Sequence, residues 1–221
     1  GSSLHVGEIS LAHNGVLFLD ELPEFPMRVL EVLREPLESA VVQISRARYQ
    51  TVLPANIQLV AAMNPCPCGY ATDPQRACRC SPDRISNYQQ RISGPLLDRI
   101  DIQLEVPRLS EDERKTLFDR EGSVEPGSAE LREVVSACRN MQLRERGCIN
   151  ARLEQAALQE HCRLQKKDLA LLNDAVSRLK LSTRACFRIL RIARTIADLA
   201  AEESVQARHL LEAINYRRFD T

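Results

Sequence analysis

Two textures divide the pattern of hydrophobic and polar positions. In the first half, short apolar runs alternate with one helical stretch. Val16-Leu17-Phe18-Leu19 runs directly into Asp20, a second run covers residues 57–63, and a third covers 100–106. Runs of this length predict strands buried on both faces of a parallel sheet. Between the first two, Val29, Leu30, Leu33 and Leu37 share one face of a helix predicted over 27–39. Pro26 opens it at a position suited to a first turn. Residues 41–44 and 51–53 flank Ser45-Arg46-Ala47-Arg48, which predicts a hairpin with a basic tip.

The second half lacks strand-like alternation and predicts helices near 110–119, 128–146, 152–163, 166–178, 182–201 and 204–217. Ser110 followed by Glu113 has the form of a capping box. Over 182–201, Cys186, Ile189, Leu190, Ala193, Ile196, Ala197 and Ala200 follow the i, i+3, i+4, i+7 spacing of a buried stripe, with Arg184, Arg188 and Arg191 opposite. Residues 122–127 predict a loop, and there is no internal repeat. The expected architecture is an α/β domain over 1–108, with a cysteine-rich insert at 65–81, followed by an all-α bundle over 109–221. The boundary falls at 107–109.

Composition narrows the class. Hydrophobic content of 44% and charged content of 27% suit a globular domain. No apolar run approaches the ~20 residues that span a bilayer, so no membrane contact is expected. No signal-peptide pattern stands at the N-terminus, which points to a cytoplasmic setting. Thirty basic and thirty acidic residues cancel, so any nucleic-acid contact must arise from local patches. All four lysines (Lys115, Lys166, Lys167, Lys180) lie in the second half, leaving arginine as the only cation of the first.

Candidate chemistry begins where the first run ends. Four apolar residues followed by Asp20-Glu21 have the form of a Walker B motif. The strand fixes one carboxylate near Mg²⁺, and the next polarises an attacking water. A strand ending in solvated acids is the plainer alternative. The second run ends Ala61-Ala62-Met63-Asn64, which places a polar residue where it would orient water beside a γ-phosphate. Farther on, Arg99 sits between Asp98 and Asp101. It is either a surface ion-pair knot or an arginine finger offered to a neighbouring subunit's nucleotide.

Four of eight cysteines cluster as Cys66-Pro67-Cys68 and Cys78-Arg79-Cys80, two C-x-C pairs nine residues apart. Four thiolates complete the tetrahedral shell of structural Zn²⁺. The within-pair spacing is tighter than the usual C-x₂-C, and unliganded cysteines or transient disulfides are the alternatives. A metal would supply the folding energy that so short a polar insert lacks. His5, His13, His161 and His209 are dispersed and read as ordinary polar positions.

These elements, in this order, resemble the AAA+ clade that holds Mg-chelatase motor subunits, MCM helicases and the ComM/YifB proteins. The stretches Gly7-Glu8-Ile9-Ser10-Leu11-Ala12-His13-Asn14-Gly15, Asp20-Glu21-Leu22-Pro23-Glu24-Phe25 and Arg91-Ile92-Ser93-Gly94-Pro95-Leu96-Leu97-Asp98-Arg99-Ile100-Asp101 are similar to the ComM/YifB family. The resemblance implies the C-terminal part of an AAA+ α/β core followed by a helical lid. It implies Asp20 as Mg²⁺ ligand, Glu21 as catalytic carboxylate, Asn64 as sensor 1 and Arg99 as arginine finger. Arg184, in Ser182-Thr183-Arg184-Ala185, matches the sensor-2 arginine at the start of a lid helix.

The implied activity is that of an ATP-driven hexameric DNA motor, a branch-migration helicase that supports homologous recombination during natural transformation. Its partners would be branched or single-stranded DNA and further copies of itself. Two hairpins of such motors face a central pore, here around 9–14 and at the tip carrying Arg46 and Arg48, whose charges suit phosphate contacts. Two other classes stay open: a chelatase motor that drives metal insertion into a tetrapyrrole, and a non-catalytic zinc-containing interaction module.

One departure bears on activity. The P-loop, G-x-x-x-x-G-K-[ST], needs a lysine that reaches the β/γ-phosphates, and no such string occurs here. In the family it lies upstream of the stretch where this chain begins. These 221 residues alone are therefore expected neither to bind ATP tightly nor to hydrolyse it.

Overall fold

The computed structural model describes residues 6–46, 49–118 and 126–217. They fall into two compact units, Gly1–Ile100 and Asp101–Thr221.

In the first unit, β1 (Val16–Leu19) pairs in parallel with a strand at Gln58–Ala61, in the register Val16↔Gln58 to Leu19↔Ala61. Leu17 and Leu19 pack against a core of Leu22, Leu30, Leu33, Ile92 and Leu96. Only that face is covered. Val16 and Phe18 point the other way and are 58% and 59% exposed, because the helices that supply the core all lie on one side. The chain enters β1 from a helical turn, α1 (Glu8–Leu11), where a pore hairpin is expected over 9–14; a turn follows it, with no strand among residues 6–15.

The helix expected over 27–39 is broken in two, α2 (Met27–Val32) and α3 (Arg34–Ser39). Pro36 explains the break: it has no N–H, and its ring collides with the carbonyl four residues earlier, at Val32. The hairpin's strands run two and three residues longer than the pattern marks. Its strands β2 (Val41–Arg46) and β3 (Tyr49–Pro54) are antiparallel, from Val41↔Pro54 to Arg46↔Tyr49. The strand at Gln58–Ala61 is β4.

Two short helices follow the cysteine insert: α4 (Pro82–Gln89) and α5 (Gly94–Leu97). Ser81 caps α4 by accepting the Arg84 N–H at 3.3 Å, and Pro82 opens it. The third expected strand, 100–106, does not form. Ile102, Leu104 and Val106 keep the two-residue alternation, yet all three are exposed, and no strand stands beside them among the described residues. A period-2 pattern without a ladder partner stays irregular.

The second unit is all-α, as the pattern predicts. It holds α6 (Glu111–Phe118), α7 (Ser128–Arg146), α8 (Gln155–His161), α9 (Lys166–Arg178), α10 (Thr183–Leu199) and α11 (Ala207–Asn215). The capping box is present in both directions: Ser110 N donates to Glu113 Oε2 at 2.7 Å, and Glu113 N to Ser110 Oγ at 3.3 Å. Ile189, Ala193 and Ala197 are fully buried with Leu158 and Leu210, whereas Ala200 is exposed.

The opposite face of α10 is less solvated than its arginines imply. Arg188 pairs with Asp101 at 2.5 Å, and Arg191 donates Nε and Nη2 to the Leu153 carbonyl at 3.0 and 2.7 Å. A buried ionic hub joins α7 to α10. The Asp198 carboxylate accepts from Arg146 (2.7 and 2.9 Å), Arg194 Nε (3.0 Å), Asn150 (2.7 Å) and Gln142 (3.2 Å). No helix among the described residues is long and apolar enough to cross a membrane.

Candidate functional site

Asp20 and Glu21 directly follow β1. The ladder continues past the strand ends, with Ala62 N donating to Leu19 O and Leu22 N to Ala62 O, each at 2.9 Å. This sets Asp20 and Glu21 beside the segment that ends in Asn64. All three side chains are exposed at the carboxyl ends of two adjacent parallel strands, the edge at which open α/β sheets bind ligands. Glu21 adopts a left-handed backbone, φ +50°, and its N–H donates to Asp20 Oδ1 at 2.9 Å. A carboxylate pair held this way offers one group to a divalent cation and the other to a water.

Two residues on α4 complete this corner, and the sequence pattern did not mark either. Tyr88 is buried, with its hydroxyl close to the backbone N–H of Asn64. Burial pushes its phenol pKa up; the Asn64 N–H opposes this, and the charges of Glu24 and Glu21 add to the rise. Gln89 Nε2 donates to the Pro65 carbonyl at 3.1 Å. The one available signal was Ser81-Pro82-Asp83, a helix opening, which places a helix but not what its far end touches.

The four clustered cysteines converge. Their Sγ atoms all lie within 4.8 Å of one another, with Cys66–Cys68 at 3.4 Å, Cys68–Cys78 at 3.5 Å and Cys66–Cys78 at 3.7 Å. A tetrahedral zinc with Zn–S bonds of about 2.3 Å puts its sulfurs roughly 3.8 Å apart, so the donor set fits that ion. Gly69, at φ +81°, makes the turn that brings the first pair inward, and its N–H donates to Cys66 O at 2.9 Å.

The thiols are electrostatically split. N–H groups of Arg79 and Tyr70 lower Cys68 to about 6. At Cys78 the Cys80 N–H favours the thiolate, but burial and the neighbouring sulfurs push it up to about 12. One thiolate repels a second, and a divalent cation removes that conflict by stabilising all four.

The remaining candidates belong to other elements. Arg99 is tied within its own unit: it pairs with Glu38 of α3 and donates Nη1 to Pro95 O at 2.7 Å, leaving its side chain 13% exposed. Asp101, two residues on, pairs with Arg188. Arg184 is exposed in the first turn of α10, where Ser182 Oγ caps the Ala185 N–H at 3.1 Å. Arg46 ends β2, and Arg48 lies outside the described residues.

Comparison with known proteins places the chain. Residues 1–114 match the family described as magnesium chelatase, subunit ChlI, and residues 125–217 match the C-terminal part of that subunit. The chain is 48% identical over 211 residues to the Competence protein ComM of Haemophilus influenzae, covering 96% of this chain and 40% of that protein. It is 43% identical over 219 residues to YifB of Escherichia coli, covering 97% and 41%. A stretch of 101 residues is 29% identical to the DNA replication licensing factor Mcm6 of Drosophila melanogaster, covering 45% of this chain and 11% of that one.

The chain thus spans about 40% of the length of its ComM and YifB relatives. A partial AAA+ core, a parallel sheet with its helices followed by a helical lid, is the class that the fold and these matches define. The chain belongs to the magnesium chelatase ChlI family.

Proposed function

We propose that these residues are the sensing and lid portion of an ATP-driven, ring-forming DNA motor. By similarity to the competence protein, its work is branch migration in support of homologous recombination during natural transformation. One observation carries this most: Asp20, Glu21 and Asn64 stand together at the carboxyl ends of two neighbouring parallel strands. In this reading Asp20 holds Mg²⁺, Glu21 polarises the attacking water, and Asn64 orients that water beside the γ-phosphate of ATP. Arg99 leaves Glu38 to reach a neighbouring subunit's nucleotide, so the working form is an oligomer, taken as a hexamer. Arg184 contacts nucleotide from the lid, zinc on the four cysteines is structural, and Arg46 and Arg48 touch DNA phosphates. Such a motor works in the cytoplasm.

These 221 residues contain no P-loop string, so turnover is measured on the protein at the full length of its relatives. Forked and four-way-junction DNA are expected to stimulate its ATPase. Replacing Arg46 and Arg48 by Ala should lower that stimulation and flatten the salt dependence of DNA binding, with DNA-free turnover unchanged. An unchanged salt slope overturns the role of the two arginines. The family description supports a second reading, a motor for metal insertion into a tetrapyrrole. Stimulation by a chelatase partner and porphyrin, with none by DNA, selects it.

A further inference from the structure

Asn64 and the cysteine cluster belong to one closed circuit of chain. From Asn64-Pro65 the backbone enters the cluster at Cys66, leaves it at Cys80, and passes through the Ser81 cap into α4. The far end of α4 then returns to its starting point: Tyr88 meets the backbone of Asn64, and Gln89 bonds the carbonyl of Pro65. Asn64 also lies near the loop inside the cluster. Its side-chain oxygen is the nearest atom to the open side of Gly69, 3.9 Å from where a Cβ on that residue would sit.

Few buried side chains lie along this circuit. Between Cys66 and Ser81 only Cys66 is buried, and Tyr88 is the one buried residue of α4. A helix of eight residues is marginal without tertiary support. Its seat depends on the cysteines at its N-terminal end and, at its C-terminal end, on Tyr88, Gln89 and the buried Ile92 that follows in the core of the first unit. Drawing four sulfurs onto one ion fixes the first anchor and, through the helix, the second.

Resting on the readings of Asn64 as the water-orienting residue and of the four cysteines as a zinc site, we infer that the zinc site is a positioning device for Asn64. Tyr88 and Gln89 are the positioning residues that transmit it. Zinc occupancy thereby governs whether the asparagine is held for chemistry, so metal loss or thiol oxidation slows turnover without removing any group that touches nucleotide.

The test uses this chain, isotopically labelled, with zinc added as its chloride and then stripped by a chelator under reducing conditions. Stripping should shift the Asn64 side-chain amide resonance and speed hydrogen exchange at residues 62–65 about 10-fold, while amides of α10 stay unchanged. The Tyr88→Phe/Gln89→Ala variant should retain one zinc and, with cobalt in its place, the charge-transfer absorption of a thiolate-bound metal. It should nevertheless show the shifted Asn64 resonance. In the full-length protein this variant should lose about 10-fold in kcat with KM for ATP within about twofold, a split that general destabilisation does not produce.

A zinc-loaded variant with the native Asn64 resonance overturns the inference, as does stripping that disturbs residues 66–81 alone. A chain that takes up neither zinc nor cobalt refutes the metal reading, and the inference with it. Full turnover by Asn64→Ala refutes instead the catalytic reading of Asn64, a failure visible separately from the resonance result.

Discussion

Replacing Asp198 by Ala should be the most damaging single change in the helical unit. Its carboxylate is the one anion between two guanidinium groups, with the side chains of Arg146 and Arg194 only 8% and 1% exposed. Five donors converge on it, while the remaining Arg194 donors bond the carbonyls of His161, Glu202 and Glu203. Removing the anion strands two buried cations and two side-chain amides, and breaking a buried pair costs about 3–5 kcal/mol. At roughly 4 °C per kcal/mol for a unit of this size, the melting temperature of the helical unit should fall by about 12–20 °C.

Differential scanning calorimetry checks this, with Asp198→Asn as a milder control that keeps shape and loses charge. A fall below about 3 °C for the Ala variant would refute the hub as a source of stability. The acid side gives an independent check. Burial alone would raise the Asp198 pKa, but hydrogen bonds from Arg146 and Asn150 and the charges of both arginines outweigh it, holding the carboxyl below its ordinary value. A depressed native pKa contributes stability that is fully present above the unfolded value of about 3.9 and is lost as pH falls through the lower native one. The native chain should therefore lose melting temperature below pH 4 more steeply than Asp198→Asn.

Elemental analysis should find one zinc per chain, and Cys66→Ser with Cys78→Ser should abolish it; full retention by that variant would refute the four-sulfur site. The Arg99–Glu38 pair is half open to water on the Glu38 side, so it is worth about 1 kcal/mol or less. Glu38→Gln in the full-length protein should therefore change ATP turnover by no more than about fivefold. Arg99→Ala should abolish turnover while nucleotide still binds, and wild-type turnover would refute a trans-acting role.

What the sequence revealed follows the range over which each feature is determined. Val16 to Leu19 and the paired C-x-C motifs are local patterns, and both are visible before any fold is known. Pro36 is equally local, and its cost to a helix over 27–39 is legible in the sequence beside the regular spacing of Leu30, Leu33 and Leu37. Ile102, Leu104 and Val106 show the converse: a genuine alternation whose partner strand is absent from the described residues. Arg194 and Asp198 look like an ordinary exposed i, i+4 pair. Their burial depends on Gln142, Arg146 and Asn150 arriving from about fifty residues away. The contacts of Tyr88 and Gln89 with Asn64 and Pro65 likewise arise only when α4 folds back, a relation no periodicity encodes.

Glu21 holds a left-handed backbone that costs an L-residue about 1–2 kcal/mol and glycine nothing. Even after the extra entropy that glycine loses on folding, Glu21→Gly should come out about 0.5 kcal/mol more stable. A screen that rewards soluble, heat-resistant protein would thus enrich a variant with no carboxylate at this position. Glu21→Gln keeps both the strain and the outline of the side chain, so it isolates the charge, whereas glycine confounds lost chemistry with gained stability. On the role proposed for Glu21, selection for folding and selection for activity pull in opposite directions at this one residue.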